Sequence, residues 1–385
     1  MRRTIIGEDH QQFRGVVDYF IRTRVLPVYD EWEARGEVPR QLYRDLGESG
    51  ILGVNLPEEF GGAGQNDYVY NVVVQEAAAK HNVTLGTLRT HLDVVLPYFT
   101  HFCGPEQRAR WFPGLVSGDL FTAIALSEPD TGSDLAGVAT SARRVAGGFT
   151  LTGAKTFITG GMHAELVVVL ARTSKEPDRR DGLTLFVVED GMAGFAKGRK
   201  LDKLGLRVQD TVELSFTDVF VPEANVLGEV GRAFPMLTRN LAQERVAISV
   251  GAVAQAEAAI ELTVRYVRDR RVFGRSLGSF QNTKFALAEA RAETLAARTM
   301  LDTAIAELRD GVLDPVDAAA VKLYCTEVQG RTVDKCLQLF GGYGYMTEYP
   351  IARLFADARV TRIYAGTSEV MKTIVSKSMG LDKRT

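Results

Sequence analysis

Residues 149–171 read FTLTGAKTFITGGMHAELVVVLA. Two short runs rich in Val, Leu, Phe and Thr meet across a Gly-Gly pair, with too few residues between them for a helix. Comparable runs occur at 121–126 (FTAIAL), 182–188 (GLTLFVV) and 211–222 (TVELSFTDVFVP), divided by glycine, proline and Asp/Ser clusters. No long helix separates these strands, so the spacing predicts an antiparallel β domain, barrel or sandwich, over 121–231.

The pattern changes on both sides of it. Upstream, Phe13, Val16, Val17, Phe20 and Ile21 recur at helical spacing within 8–33, and further helices are expected near 67–80, 86–102 and 105–117. PEEFGGAGQND (57–67) is a glycine-rich loop. Downstream, long amphipathic segments run near 233–270, 280–310, 315–340 and 350–378. Asp314 is placed to cap the third of these, with Pro315 in its first turn. The expectation is an α+β chain of three domains: helical over 1–120, β over 121–231, and a C-terminal helical bundle over 232–385.

Composition narrows the function classes. The 385 residues carry a net charge of −2, so no basic field exists to attract nucleic acid. The longest uninterrupted apolar runs, such as LVVVLA (166–171), fall far short of the roughly 20 residues needed to cross a bilayer, so no membrane partner is expected. The opening MRRTIIGEDHQQF turns acidic and polar without a long apolar segment, unlike a secretory or transit leader. Cys103, Cys325 and Cys336 are too few and scattered for a disulfide framework, which suits a reducing compartment, by default the cytoplasm. The five histidines show no metal-ligand spacing, and no metal site is expected.

Familiar nucleotide motifs fail. No GxxxxGK[ST] occurs, no GxGxxG opens a helix after a strand, and the GxSxG match GRSLG (274–278) follows a helix end and not a strand, so it is no nucleophile elbow. Four other stretches carry chemistry. ALSEPDTGSDLAG (125–137) is either a polar turn or a loop whose N–H groups and hydroxyls grip a polar ring or phosphate. RDRRVFGRSLGSFQ (268–281) has four arginines in eight residues beside Phe273, which suits phosphate or merely a helix C-terminus. QLFGGYGYM (338–346) and IYAGTSEV (363–370) break helical runs with glycine, as C-caps or as close approaches of backbone to a ligand.

NLAQERVAISV (240–250) places Glu244 and Arg245 in an otherwise apolar helix. At 100° per residue both charges straddle the apolar stripe. They are either a structural ion pair at its edge or a carboxylate lining an apolar cavity. In the second case desolvation lifts its pKa toward neutrality and makes it a usable base.

Together these stretches resemble the acyl-CoA dehydrogenase family, over essentially the whole chain. LSEPDTGSDLAG is similar to one family signature, and RRVFGRSLGSFQ with QLFGGYGYMTEYPIAR to another. ILGVNLPEEFGG, GLRVQDTVELSF and EYPIARLFADARV look most like the long-chain enzymes. The resemblance implies a C-terminal four-helix bundle, assembly as a homotetramer, and FAD at subunit interfaces. It implies α,β-dehydrogenation of fatty acyl-CoA to the trans-2-enoyl-CoA, of medium or long chain: a base takes the α-proton while the β-hydrogen leaves as hydride to flavin N5. An electron-transfer flavoprotein is the implied acceptor. The alternatives are an isovaleryl or branched-chain type, or an O2-using acyl-CoA oxidase or flavin monooxygenase.

The matching residues follow from that resemblance. Ile124, Ala125, Leu126, Ser127, Gly132 and Ser133 would wrap the isoalloxazine, with Ser127 at its pyrimidine edge and Ser133 reaching the substrate. Phe157, Ile158 and Thr159 would lie by the ring, Thr159 near N5. Arg270, Phe273, Gln281, Gln338, Leu339, Phe340, Gly341 and Gly342 would hold the pyrophosphate and adenine side from a neighbouring subunit. Thr367, Ser368 and Glu369 would meet the FAD phosphates, and Arg245 would lie beside the CoA moiety. Where many members carry a catalytic glutamate before Gly-Thr, this chain has Ala365. Long-chain and isovaleryl enzymes carry it instead in a helical ER pair, which matches Glu244-Arg245. Ala365 and Gly366 could still serve the substrate through backbone N–H groups. Asp130 and Thr131 replace a commoner Gly-Ala, and Phe157 a frequent Trp.

Overall fold

A computed structural model describes residues 3–381. Residues 1–2 and 382–385, the outer ends of the expected first and third domains, lie outside it. Six helices precede the sheet: α1 (Glu8–Phe20), α2 (Tyr29–Arg35), α3 (Gln41–Glu48), α4 (Val69–Lys80), α5 (Leu96–Phe102) and α6 (Pro105–Ser117). The single helix expected over 8–33 is broken. Widened π turns at Ile21–Val25 and Thr90–Val95 each lie just ahead of a proline, Pro27 and Pro97. Proline offers no N–H and its ring displaces the carbonyl four residues back, so the turn before it opens.

The sheet contains β1 (Thr122–Ala125), β2 (Ser141–Val145), β3 (Gly148–Thr159), β4 (Leu166–Arg172), β5 (Leu183–Glu189), β6 (Phe195–Lys200), β7 (Thr211–Pro222) and β8 (Val226–Leu227). Its order is β6-β7-β3-β2-β4-β5-β8, with β1 beside β4. The β1–β4 pairing is parallel, so the sheet is mixed and not wholly antiparallel as expected. The β2–β3 hairpin is the reason: it forms the connection that returns the chain alongside β1. SARRV and FAKGRK, the sequences of β2 and β6, are too charged to announce themselves as strands.

Alternation along β4 builds two cores. Leu166, Val168 and Leu170 face the N-terminal helices, packing with residues such as Tyr98, Phe99 and Phe121. Val167, Val169 and Ala171 face the other way, into a core shared with β3, β5 and β7. A strand buried on both faces is apolar without interruption, which is why ELVVVLA lacks alternation. The Phe149 and Phe186 rings, 5.0 Å apart, join β3 and β5 across this second core.

Downstream come α7 (Ala233–Asp269), a hairpin of β9 (Arg271–Val272) and β10 (Arg275–Ser276), α8 (Gln281–Arg309), α9 (Pro315–Phe340), α10 (Pro350–Ala358) and α11 (Ser368–Ser378). Asp314 caps α9 as expected, accepting from Val316 N at 2.6 Å. The helix expected over 350–378 is interrupted by IYAGT, leaving α10 and α11 as a broken fourth member of the bundle. α7 is long and apolar enough to cross a membrane, but 72% of its most apolar window is buried inside the protein. Arg298 on α8 ties the bundle to α4, donating to Glu76 at 2.8 Å and to Glu257 on α7 at 2.7 Å.

Candidate active site

α7 carries Glu244 into the seam between the bundle and the N-terminal helices. The side chain is buried, and Tyr98 on α5 donates to its Oε1 at 3.1 Å. Burial lifts the carboxyl from the usual range to about 7, against the smaller opposing effects of the Tyr98 hydrogen bond and the Arg245 charge. Arg245 turns elsewhere. Its Nη1 donates to Pro315 O at 3.2 Å, and among the described residues no ion pair joins it to Glu244. The two charges are therefore not a structural salt bridge, and Glu244 meets the geometric requirement for a titratable base in an apolar setting.

A second turn, IYAGT, is strained. Ala365 has φ 51° and Gly366 φ 89°. A left-handed alanine costs roughly 1 kcal/mol, and consecutive residues of this kind make a concavity of backbone N–H groups. Lys322, fully buried on α9, holds the turn by donating to Gly366 O at 2.6 Å. Desolvation, then the nearby Arg245 charge, depresses that ammonium to about 8. Thr367 caps α11 through its own hydroxyl, and Ser368 Oγ donates to Glu327 at 2.7 Å. Both hydroxyls are thus committed within the protein, whereas Glu369 is exposed.

The loop after β1 is pinned from beneath. Glu128 is buried and accepts from Ala139 N at 2.7 Å, Thr140 N at 2.9 Å and Lys155 Nζ at 2.8 Å. Lys155 also donates to Leu126 O, and Thr156 N donates to Ser127 O at 3.0 Å. Ile124, Ala125, Leu126 and Ser127 are thereby brought beside Phe157, Ile158 and Thr159, while Gly132 and Ser133 sit exposed at the loop's far end. The register shift in β3 between Lys155 and Ile158 gives Phe157 a φ of 59° and turns its ring outward, 69% exposed. β1 docks on the π turn that leads into α5, through Thr122 Oγ1 and His91 Nδ1 at 2.8 Å. The loop and Tyr98, the partner of Glu244, therefore share one support.

The arginine-rich stretch is elsewhere. Arg270, Phe273, Gln338, Leu339, Phe340, Gly341 and Gly342 line an open cavity of about 810 Å³ at the other end of α7. Gln281 does not line it; Phe280, Asn282 and Thr283 do. Phe273, at the tip of the β9–β10 hairpin with φ 49°, is 95% exposed. Arg270 stacks its guanidinium over Tyr343 at 5.4 Å, and a Cβ at Gly341 or Gly342 would meet nothing within 4 Å. Aromatic faces, a guanidinium and open glycine backbone fit a nucleotide's base and pyrophosphate. The 25 helical steps from Glu244 to Asp269 span about 37 Å, so this cradle lies far along α7 from the Glu244 site of the same chain.

Tyr98, Lys322 and the Glu128–Lys155 pair were not legible in the sequence. Each acts on a residue remote along the chain, and only the quoted "GAKTF" and "LSEP" motifs bracket one of these contacts. The fold thus holds a desolvated carboxylate, a strained backbone turn, and an open cavity whose aromatic, guanidinium and glycine lining fits a nucleotide, features of a cofactor-dependent enzyme.

Family models for the N-terminal, middle and C-terminal domains of acyl-CoA dehydrogenase match residues 7–119, 123–219 and 231–380. The long-chain specific acyl-CoA dehydrogenase of Rattus norvegicus mitochondria is 39% identical over 99% of this chain and 88% of its own length. The isovaleryl-CoA dehydrogenase of Solanum tuberosum mitochondria is 33% identical over 97% of this chain and 91% of its own. A crystal structure of an acyl-CoA dehydrogenase from Geobacillus kaustophilus superposes with a TM-score of 0.95 at 39% identity, covering 98% of this chain and 100% of that one. The chain belongs to the acyl-CoA dehydrogenase family. It is an FAD-dependent oxidoreductase acting on CH–CH donors, with acyl-CoA as its substrate class.

Proposed function

We propose that the protein converts fatty acyl-CoA thioesters to trans-2-enoyl-CoA with Glu244 as the base, on substrates of medium or long chain. The carrying observation is the burial of Glu244, whose pKa of about 7 allows it to accept a proton at neutral pH and still be substantially ionised. Ala365 removes the alternative carboxylate. Its backbone N–H, fixed in the left-handed turn by Lys322, is assigned to the thioester oxygen, where negative charge develops as the α-proton leaves. Tyr98 orients the carboxylate. Arg245, with its Nε unpartnered, is assigned to the CoA side.

Bound FAD supplies the acceptor for the β-hydrogen. Ser127, Ser133, Phe157 and Thr159 are assigned to its ring, and the loop beneath them is held by the Glu128–Lys155 pair. The span of about 37 Å along α7 supports a tetramer in which the Arg270–Phe273 cradle serves a neighbouring subunit's FAD. Electron-transfer flavoprotein is the proposed acceptor, on the strength of the family resemblance. The greater identity to the long-chain enzyme than to the isovaleryl enzyme, 39% against 33%, supports a straight-chain substrate. Glu244→Gln tests the assignment: anaerobic flavin bleaching by acyl-CoA is expected to slow by orders of magnitude with FAD still bound. Bleaching at the wild-type rate would remove Glu244 from the role.

A further inference from the structure

Glu244, Ile248, Gly251 and Gln255 recur on one face of α7, at spacings of four, three and four. Beyond Ile248 this face opens on a cavity of about 80 Å³, walled by Gly251 and Gln255, by α4, by the π turn, and by Tyr364, the residue before Ala365. It begins two helical turns past the base, where the far part of an acyl chain lies if the proposed function holds. An alkyl tail calls for Leu, Val and Phe there. The walls do hold Val74, Val83, Leu85, Leu88 and Leu92, but Asn71, Gln75, Arg89 and Asp93 stand among them.

The hydrogen bonding of these residues is incomplete in a particular way. Asp93 accepts from Asn71 Nδ2 at 2.8 Å and from Gln75 Nε2 at 2.9 Å. A carboxylate can only accept, so both amide nitrogens must face it and both amide oxygens face away. Those oxygens, Asn71 Oδ1 and Gln75 Oε1, are buried without a partner, and the residues are only 3% and 9% exposed. Arg89 donates to Tyr364 OH at 2.8 Å; among the described residues no carboxylate lies within ion-pair distance of it. A Cβ at position 251 would stand 3.2 Å from Gln75 Oε1 and 3.5 Å from Arg89 Nη1. Glycine there leaves that acceptor and that donor facing the same space.

We propose that this cavity is a subsite for a hydroxyl group carried on the acyl chain of the substrate. A hydroxyl accepts from Arg89 and donates to Gln75 Oε1, satisfying both with one oxygen. A ketone accepts from Arg89 but leaves the amide oxygens without a donor. A carboxylate also brings only acceptors, and it meets two carboxyl groups in the lining, Asp93 and Asp357, against one guanidinium. Burial lifts Asp93 to about 6, so it is an anion at neutral pH and opposes a second one. A plain alkyl tail leaves the two amide oxygens desolvated and unpaired, which is costly.

The proposal rests on the acyl-CoA dehydrogenation proposed above, and one experiment separates the two. The FAD-loaded enzyme is titrated anaerobically with acyl-CoAs from butyryl to palmitoyl, each plain, ω-hydroxylated, hydroxylated on an interior carbon, and ω-carboxylated, while flavin bleaching is followed. At the best chain length a hydroxylated thioester is expected to half-saturate at a concentration at least about tenfold below its plain counterpart, the scale of one buried charge-assisted hydrogen bond. Gln75→Leu and Gly251→Ala are expected to erase that advantage while the plain thioesters still bleach the flavin. Plain chains preferred or equal throughout, or a preference for the ω-carboxylate, overturns the subsite and leaves the dehydrogenation standing. No bleaching by any acyl-CoA overturns both.

Discussion

Glu244→Gln tests more than a rate, because the same burial that fits Glu244 to the proposed role of base costs stability. The carboxyl titrates near 7 in the folded protein against an ordinary 4.5. Between those values the native state binds the proton that the unfolded chain has released, so stability falls as pH rises. The penalty is absent below about 4.5, grows through the window, and is complete above about 7. At 1.36 kcal/mol per unit this amounts to about 3 kcal/mol. Glutamine keeps an oxygen for Tyr98 to donate to and carries no charge at any pH. Denaturation midpoints of wild type and variant, both FAD-loaded, should therefore coincide at acid pH and separate above neutrality, with the variant the more stable by about 3 kcal/mol. The wild-type rate constant for flavin reduction at low acyl-CoA should move the opposite way, falling about tenfold per unit as pH drops below 7. Two results refute the reasoning: a variant less stable than wild type at alkaline pH, or a wild-type profile flat between 5 and 8.

The other expectations concern the supports of the site. Lys155→Met strands the buried Glu128 carboxylate under the loop, and should cost about 3–5 kcal/mol in the denaturation midpoint and speed FAD loss; the double variant with Glu128→Gln should recover part of both. Lys322→Met removes the bond to Gly366 O, and should slow flavin reduction about tenfold or more at saturating acyl-CoA with little change in half-saturation, read by stopped-flow absorbance. Phe273→Ala truncates a side chain that is 95% exposed in one chain, so monomer stability should change by less than about 0.5 kcal/mol while FAD release, followed by fluorescence, accelerates.

Much of the architecture lay open in local pattern. Strand runs without helices between them marked the β region, and helical periodicity with the Asp314-Pro315 cap marked the bundle. What failed were features set by neighbours. The π turns before Pro27 and Pro97 break helices that periodicity alone would continue, and charged β2 and β6 become strands only because β3 and β7 pair with them. The parallel β1–β4 register likewise depends on where the chain returns, which no window of residues contains.

The site divides in the same way. Sequence alone determined that Ala365 has no acid to offer and that Glu244 sits on an apolar helix face. It left open whether Glu244 is a partner of Arg245 or a base, because adjacent residues on a helix point about 100° apart and only the surroundings fix each one's fate. The tertiary structure ruled out the ion pair by placing Tyr98 against Glu244 and the Pro315 carbonyl against Arg245, and the base is the role proposed for Glu244. Desolvation is a property of everything packed around a group, and so are the strain at Ala365, the Lys322 bond that holds it, and the unpartnered amide oxygens in the cavity beyond Ile248. None of these is carried by the residues that display it, so none could be read before the chain was folded.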